Sequence, residues 1–99
     1  MSGNVVRIGD NVSCGDHAAV GSADVFAGGQ PISTQKDRET TGHGCFPPTV
    51  FIGPWSNTVF VNNSPVVLKG KTKIRRHCCG DRCHDGVAST GAATVSIEE

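Results

Sequence analysis

The chain echoes itself three times, and this repetition limits its fold more than any other feature. Gly21-Ser22-Ala23-Asp24-Val25-Phe26 returns as Trp55-Ser56-Asn57-Thr58-Val59-Phe60 and again as Gly91-Ala92-Ala93-Thr94-Val95-Ser96. The matched residues Val25, Val59 and Val95 lie 34 and 36 positions apart. At such a period each copy is one supersecondary unit that cannot bury its apolar face alone. After the first two copies come Gly28-Gly29-Gln30-Pro31-Ile32 and Asn62-Asn63-Ser64-Pro65-Val66. Each reads as a strand, a tight turn whose two residues need positive φ, and a second strand opened by proline. The third copy ends before its turn, so its partner strand is expected from Asn4–Ile8. Three β units, the first and last sharing a hairpin, predict a closed pseudo-threefold object.

The rest of the chain agrees with an all-β reading. No segment of ten or more residues carries apolar side chains at helical spacing, because Gly, Pro or Asn interrupts almost every window. Short runs rich in Val, Ile, Phe and Thr mark expected strands at Asn4–Ile8, Ala23–Ala27, Thr49–Ile52, Thr58–Val61, Pro65–Leu68 and Ala93–Ile97. With 99 residues, 36% of them hydrophobic, the chain is expected to form a single domain over 1–99 with a thin core. Nine basic residues balance nine acidic ones, which removes the electrostatic case for nucleic acid or an anionic membrane as a standing partner. No apolar run approaches a bilayer span, and MSGNVVRIGD has no apolar core of a signal peptide.

Against this thin core stand five cysteines and four histidines. An odd number of cysteines without a leader argues against a full disulfide framework and for a structural metal. Cys14 lies seven residues before Gly21 and His84 seven before Gly91, while the middle loop carries His43 and Cys45. If the repeats surround a common axis, equivalent loops meet at one end of it, and distant ligands converge without a local Cys-x-x-Cys knuckle.

The pieces Arg7-Ile8-Gly9-Asp10-Asn11-Val12-Ser13-Cys14-Gly15, Gly42-His43-Gly44-Cys45-Phe46-Pro47-Pro48, His77-Cys78-Cys79-Gly80 and Cys83-His84-Asp85-Gly86 occur in that order. With the strand-turn-strand echoes, they make the chain resemble the PAAR-repeat proteins, which cap the spikes of contractile injection systems. The similarity runs from about Val6 to Val95, although Pro31-Ile32-Ser33-Thr34 and Pro65-Val66-Val67-Leu68 keep only the proline of the name-giving segment. Short and lacking an appended toxin domain, the chain is most similar to the family members that tip T4-like phage tails.

The resemblance implies a small cone of interwoven short strands and loops with one Zn²⁺ near its apex. Its wide base would sit on a trimeric β-helical spike, one copy per trimer, and the assembly would touch a target outer membrane only while piercing it. The location implied is the tip of the tail central spike of a virion, or the bacterial cytoplasm before secretion by a type VI system. Neither a catalytic role nor a small-molecule substrate is implied. Carried over motif by motif, the ligands are Cys14, His43, His77 and His84, a tetrahedral N₃S set suited to structural zinc.

Other readings of the same residues stand beside this one. Cys45, Cys78, Cys79 and Cys83 are alternative sulfur ligands, and those not used read as small buried packers. Adjacent Cys78 and Cys79 would point to opposite faces of a strand, so at most one faces the site. His17 reads as a surface loop residue, Trp55 as local packing, and Lys71–Arg76 as a solvated strand face that could alternatively meet anionic lipid. Phe26, Phe60, Val61 and Ile97 are candidates for the base. The rival functions are a small zinc-binding nucleic-acid-interaction module and a Cys/His enzyme. The first lacks a basic stripe, and the second lacks room for a pocket and a third orienting residue.

Overall fold

A computed structural model describes residues 2–92 and 96–98 of the chain. These residues form short strands, bridges and turns, and no helix occurs among them. β1 (Ser2–Asn4) pairs antiparallel with β10 (Ser96–Glu98), β2 (Phe26–Ala27) with β3 (Gln30–Pro31), and β5 (Phe60–Val61) with β6 (Ser64–Pro65). The two complete hairpins turn where the sequence predicts. Gly28 and Gly29 have φ of 58° and 83°, and Asn62 and Asn63 have 52° and 67°. Two successive positive φ values match the right-handed twist of the flanking strands, which is why Gly and Asn occupy these turns. The third copy does pair with the N-terminal segment, but through Ser2–Asn4 rather than the whole of Asn4–Ile8. Residues 93–95, which include the expected repeat position Val95, lie outside the described residues.

Contacts recur in threes. Ser22, Ser56 and Ala92 donate their backbone N–H to the carbonyls of Ile32, Val66 and Val5, at 2.7, 3.1 and 2.8 Å. Antiparallel bridges join Arg7 to Ile32, Thr34 to Val66 and Val5 to Leu68. At the centre three backbone bonds close a ring: Val6 donates to Val67 at 3.0 Å, Val67 to Ser33 at 3.1 Å, and Ser33 to Val6 at 2.9 Å. All three residues are 0% exposed, so these bonds satisfy polar groups that water cannot reach. The Ser33 hydroxyl, also shut from water, donates to the Val20 carbonyl at 2.7 Å.

The ring strands divide the core. Successive side chains of an extended segment point to opposite faces. Val5 and Val66 enter one apolar cluster, with Ala27, Ile32, Val61, Leu68 and Ala92. Their neighbours Val6 and Val67 enter a second, with Val12, Ala18, Phe51, Ile74 and Ala88. Val25 and Val59, just before the two hairpins, pack on the first cluster, and Cys14 and Trp55 pack on the second. Each fully buried Val or Phe contributes ~1.5–3 kcal/mol. Val61 is therefore core, whereas Phe60 beside it and Phe26 on the matched hairpin are each 55% exposed.

β4 (Phe51–Gly53) pairs with β7 (Lys73–Ile74), which buries Ile74 and leaves Lys73, Arg75 and Arg76 on the solvated side. The exposed Arg76 pairs with Asp85 at 3.4 Å. β8 (His77–Cys79) and β9 (Arg82–His84) form a hairpin that the apolar pattern does not foresee.

The cysteines correct the sequence reading. Cys45 is bonded to Cys79 and Cys78 to Cys83, leaving Cys14 as the free thiol among the described residues. Cys45, Cys78 and Cys83 are exposed rather than buried packers. The opposite orientation of Cys78 and Cys79 holds, but each faces a disulfide partner.

Candidate metal centre

Three separate loops build the centre. The first is the turn Val12–Asp16, in which Gly15 donates to the Val12 carbonyl at 3.0 Å and Val12 to the Asp16 carbonyl at 2.8 Å. It is tied to the segment after β9 by Ser13, which donates to Val87 at 2.9 Å. This turn presents Cys14. The second is the tight loop His43–Phe46, closed by reciprocal backbone bonds of 3.1 and 2.9 Å between its end residues. The third is the β8–β9 hairpin, whose register sets His77 directly across from His84. Cys78 and Cys83 form the next cross-strand pair, and alternation turns their disulfide away from the histidines. The Cys45–Cys79 bond joins the His43 loop to this hairpin.

All four residues named from the sequence come together. One ligand atom from each of Cys14, His43, His77 and His84 lies within 4.8 Å of every other. His77 Nε2 is 2.9 Å from His84 Nε2 and 3.8 Å from Cys14 Sγ. Around a tetrahedral zinc, donor spans are about 3.3 Å between nitrogens and about 3.6 Å between nitrogen and sulfur. The observed distances bracket those values, so the cluster can hold a metal ion. His17 is exposed and outside the cluster.

The hydrogen bonds also favour a cation. His77 Nδ1 donates to the Pro47 carbonyl at 2.9 Å. A carbonyl only accepts, so a neutral His77 carries its proton there and keeps a lone pair on Nε2. His43 Nδ1 is bonded in the same way to Asp16 Oδ1. Lone pairs aimed at one point repel unless a proton or a cation lies between them. Burial, and after it the neighbouring His77 and His43, lower the pKa of His84, which disfavours the protonated ring that could not ligate. The Phe46 ring stacks on His84 at 4.0 Å and on His43 at 5.0 Å, covering the group with an apolar face.

Asp16 is the residue that the sequence reading missed. Its side chain is 0% exposed; Oδ1 takes His43, and Oδ2 accepts the Thr40 hydroxyl at 2.6 Å. Burial pushes its carboxyl up, but the bonds from Thr40 and His43 and the charges of His77 and His43 outweigh burial and hold it below the ordinary value. Its position two residues after Cys14 was the available signal, since metal-bound histidines commonly give their other N–H to a carboxylate. No protein family, curated protein or solved structure matches the chain.

Proposed function

We propose that the protein is a zinc-pinned structural tip of the PAAR kind, a pseudo-threefold cone that caps a trimeric β-helical spike and helps it pierce a cell envelope. The observation that carries this reading is the convergence of Cys14, His43, His77 and His84 from three loops on one point. Four protein donors complete a tetrahedron, which is the pattern of a structural rather than a catalytic zinc site. Zinc suits one thiolate and three imidazoles, and it would stiffen a region whose own covering is one phenylalanine and two disulfides.

The threefold recurrence of backbone contacts supports the other half of the reading. A chain with three similar faces can meet three identical spike chains at once. Phe26 and Phe60, exposed on matched hairpins whose Ala27 and Val61 enter the cluster that Cys14 does not join, would meet the apolar end of the β-helix. The part is mechanical, placed at the tip of a phage tail spike or of its type VI counterpart. It has no substrate and no nucleic-acid partner, and it touches the target outer membrane only in passing.

The test pairs elemental analysis with binding to a trimeric β-helical spike fragment. One zinc per chain and one chain per trimer are expected. A three-to-three complex, or no binding by zinc-loaded protein, rejects the tip assignment.

A further inference from the structure

We infer that Asp16 is the positioning residue and counter-anion of the metal centre, fixing the proton of His43 on Nδ1 and bringing the loaded centre to zero net charge. The inference rests on the metal-binding reading above and extends it to a residue outside the ligand set.

The argument begins with hydrogen-bond direction. Thr40 Oγ1 accepts the backbone N–H of Thr49 at 3.0 Å and donates its own proton to Asp16 Oδ2 at 2.6 Å. Asp16 Oδ1 faces His43 Nδ1. Oδ2 therefore accepts, and in the ionised form that a carboxylate ordinarily takes at neutral pH Oδ1 accepts as well. An acceptor at Nδ1 requires a proton on that nitrogen, so the lone pair of a neutral His43 sits on Nε2, the atom left for the metal. The ring also packs against the turn that carries Cys14. A Cβ on Gly15 would lie 3.2 Å from Cδ2 and 3.5 Å from Nε2 of His43, so the ring lies close against the Gly15 backbone.

Charge gives the second half. Zinc with one thiolate and three neutral imidazoles carries a net charge of +1, which is costly to hold away from water. The carboxylate of Asp16, itself 0% exposed, cancels that charge. Its Oδ2 also lies 4.0 Å from His77 Nδ1, so one anion faces two ligand rings. Because Thr40 and His43 occupy its oxygens, Asp16 acts through His43 and is not itself a ligand.

The experiment measures zinc affinity by competition with a chromophoric chelator for wild type, Asp16→Asn and Thr40→Val. It also reads the His43 tautomer by ¹⁵N NMR in the zinc-loaded wild type. Asp16→Asn keeps the volume and removes the charge, and it should weaken zinc about 10–100-fold. Thr40→Val, which keeps the charge, should stay close to wild type, and His43 should carry its proton on Nδ1. Wild-type affinity in Asp16→Asn, an equal loss in Thr40→Val, or a His43 proton on Nε2 would each overturn the inference. The tautomer decides even if Asp16→Asn does not fold. A wild type that takes up no zinc overturns the metal reading itself, a result visible before any substitution is made.

Discussion

Replacing Gly15 with alanine should damage the protein in two separable ways. The first is backbone strain: Gly15 has φ of +116°, where a Cβ costs about 1–2 kcal/mol. The second is collision, since the new methyl would sit 3.2, 3.3 and 3.5 Å from Cδ2, Cγ and Nε2 of His43. That ring cannot simply withdraw, because Asp16 holds Nδ1, Phe46 stacks on it at 5.0 Å and His84 at 4.9 Å. Forcing a methyl into such a site costs about 1–3 kcal/mol, for a total of roughly 2–5 kcal/mol. For a domain of this size that lowers Tm by on the order of 20 °C. Gly29→Ala is the control: φ is +83° but nothing lies within 4 Å of its Cβ, so only the strain applies. Thermal unfolding by circular dichroism, with and without zinc, separates the two. Gly15→Ala should melt well below Gly29→Ala when zinc-loaded and should bind zinc more weakly, because ligand distances tolerate only about 0.2 Å. After chelation the ring is freer to move and the gap should narrow. Equal melting of the two loaded variants, or a gap indifferent to chelation, would refute the reasoning.

Cys14 should resist alkylation in zinc-loaded protein and react once the metal is stripped; equal reactivity in both states would remove it from the ligand set. His43→Ala and His84→Ala should each lose stoichiometric zinc on dialysis, whereas His17→Ala, altering an exposed side chain, should retain it. Peptide mapping without reductant should recover Cys45–Cys79 and Cys78–Cys83. Chain-entropy reasoning ranks them by the sequence separations of 34 and 5. Removing the first pair should cost about 4 kcal/mol and removing the second about 2 kcal/mol, measured by denaturant unfolding of the double-serine variants.

Local chemistry made some elements readable and left others hidden. Gly28-Gly29 and Asn62-Asn63 announce their turns because few other residues tolerate the required φ, so both hairpins could be located from sequence. The β8–β9 hairpin could not. His77-Cys78-Cys79 and Arg82-Cys83-His84 carry no β-branched residue and no Phe, Tyr or Trp, and a disulfide and the His/Cys cluster hold what propensity does not. The four residues that converge in the candidate metal centre could be named from their motifs and loop positions. The disulfides were misjudged because an odd cysteine count was applied to the whole chain. With Cys14 assigned to the metal cluster, an even four remain, and all are paired. Asp16 escaped because attention to metal-binding atoms alone overlooks the groups that aim them.

The hydrogen-bonded triangle of Val6, Ser33 and Val67 fixes the number of units at three. In an open repeat array a further copy can be stacked on either end, and length drifts as copies are gained or lost. Here each member's donor and acceptor are already taken by the other two, so a fourth unit finds no vacancy and a missing one leaves a buried amide and a buried carbonyl unmatched. Duplication or deletion of a unit is thereby penalised at its centre, and sequence drift is left to work on the turns and loops around a count that cannot change.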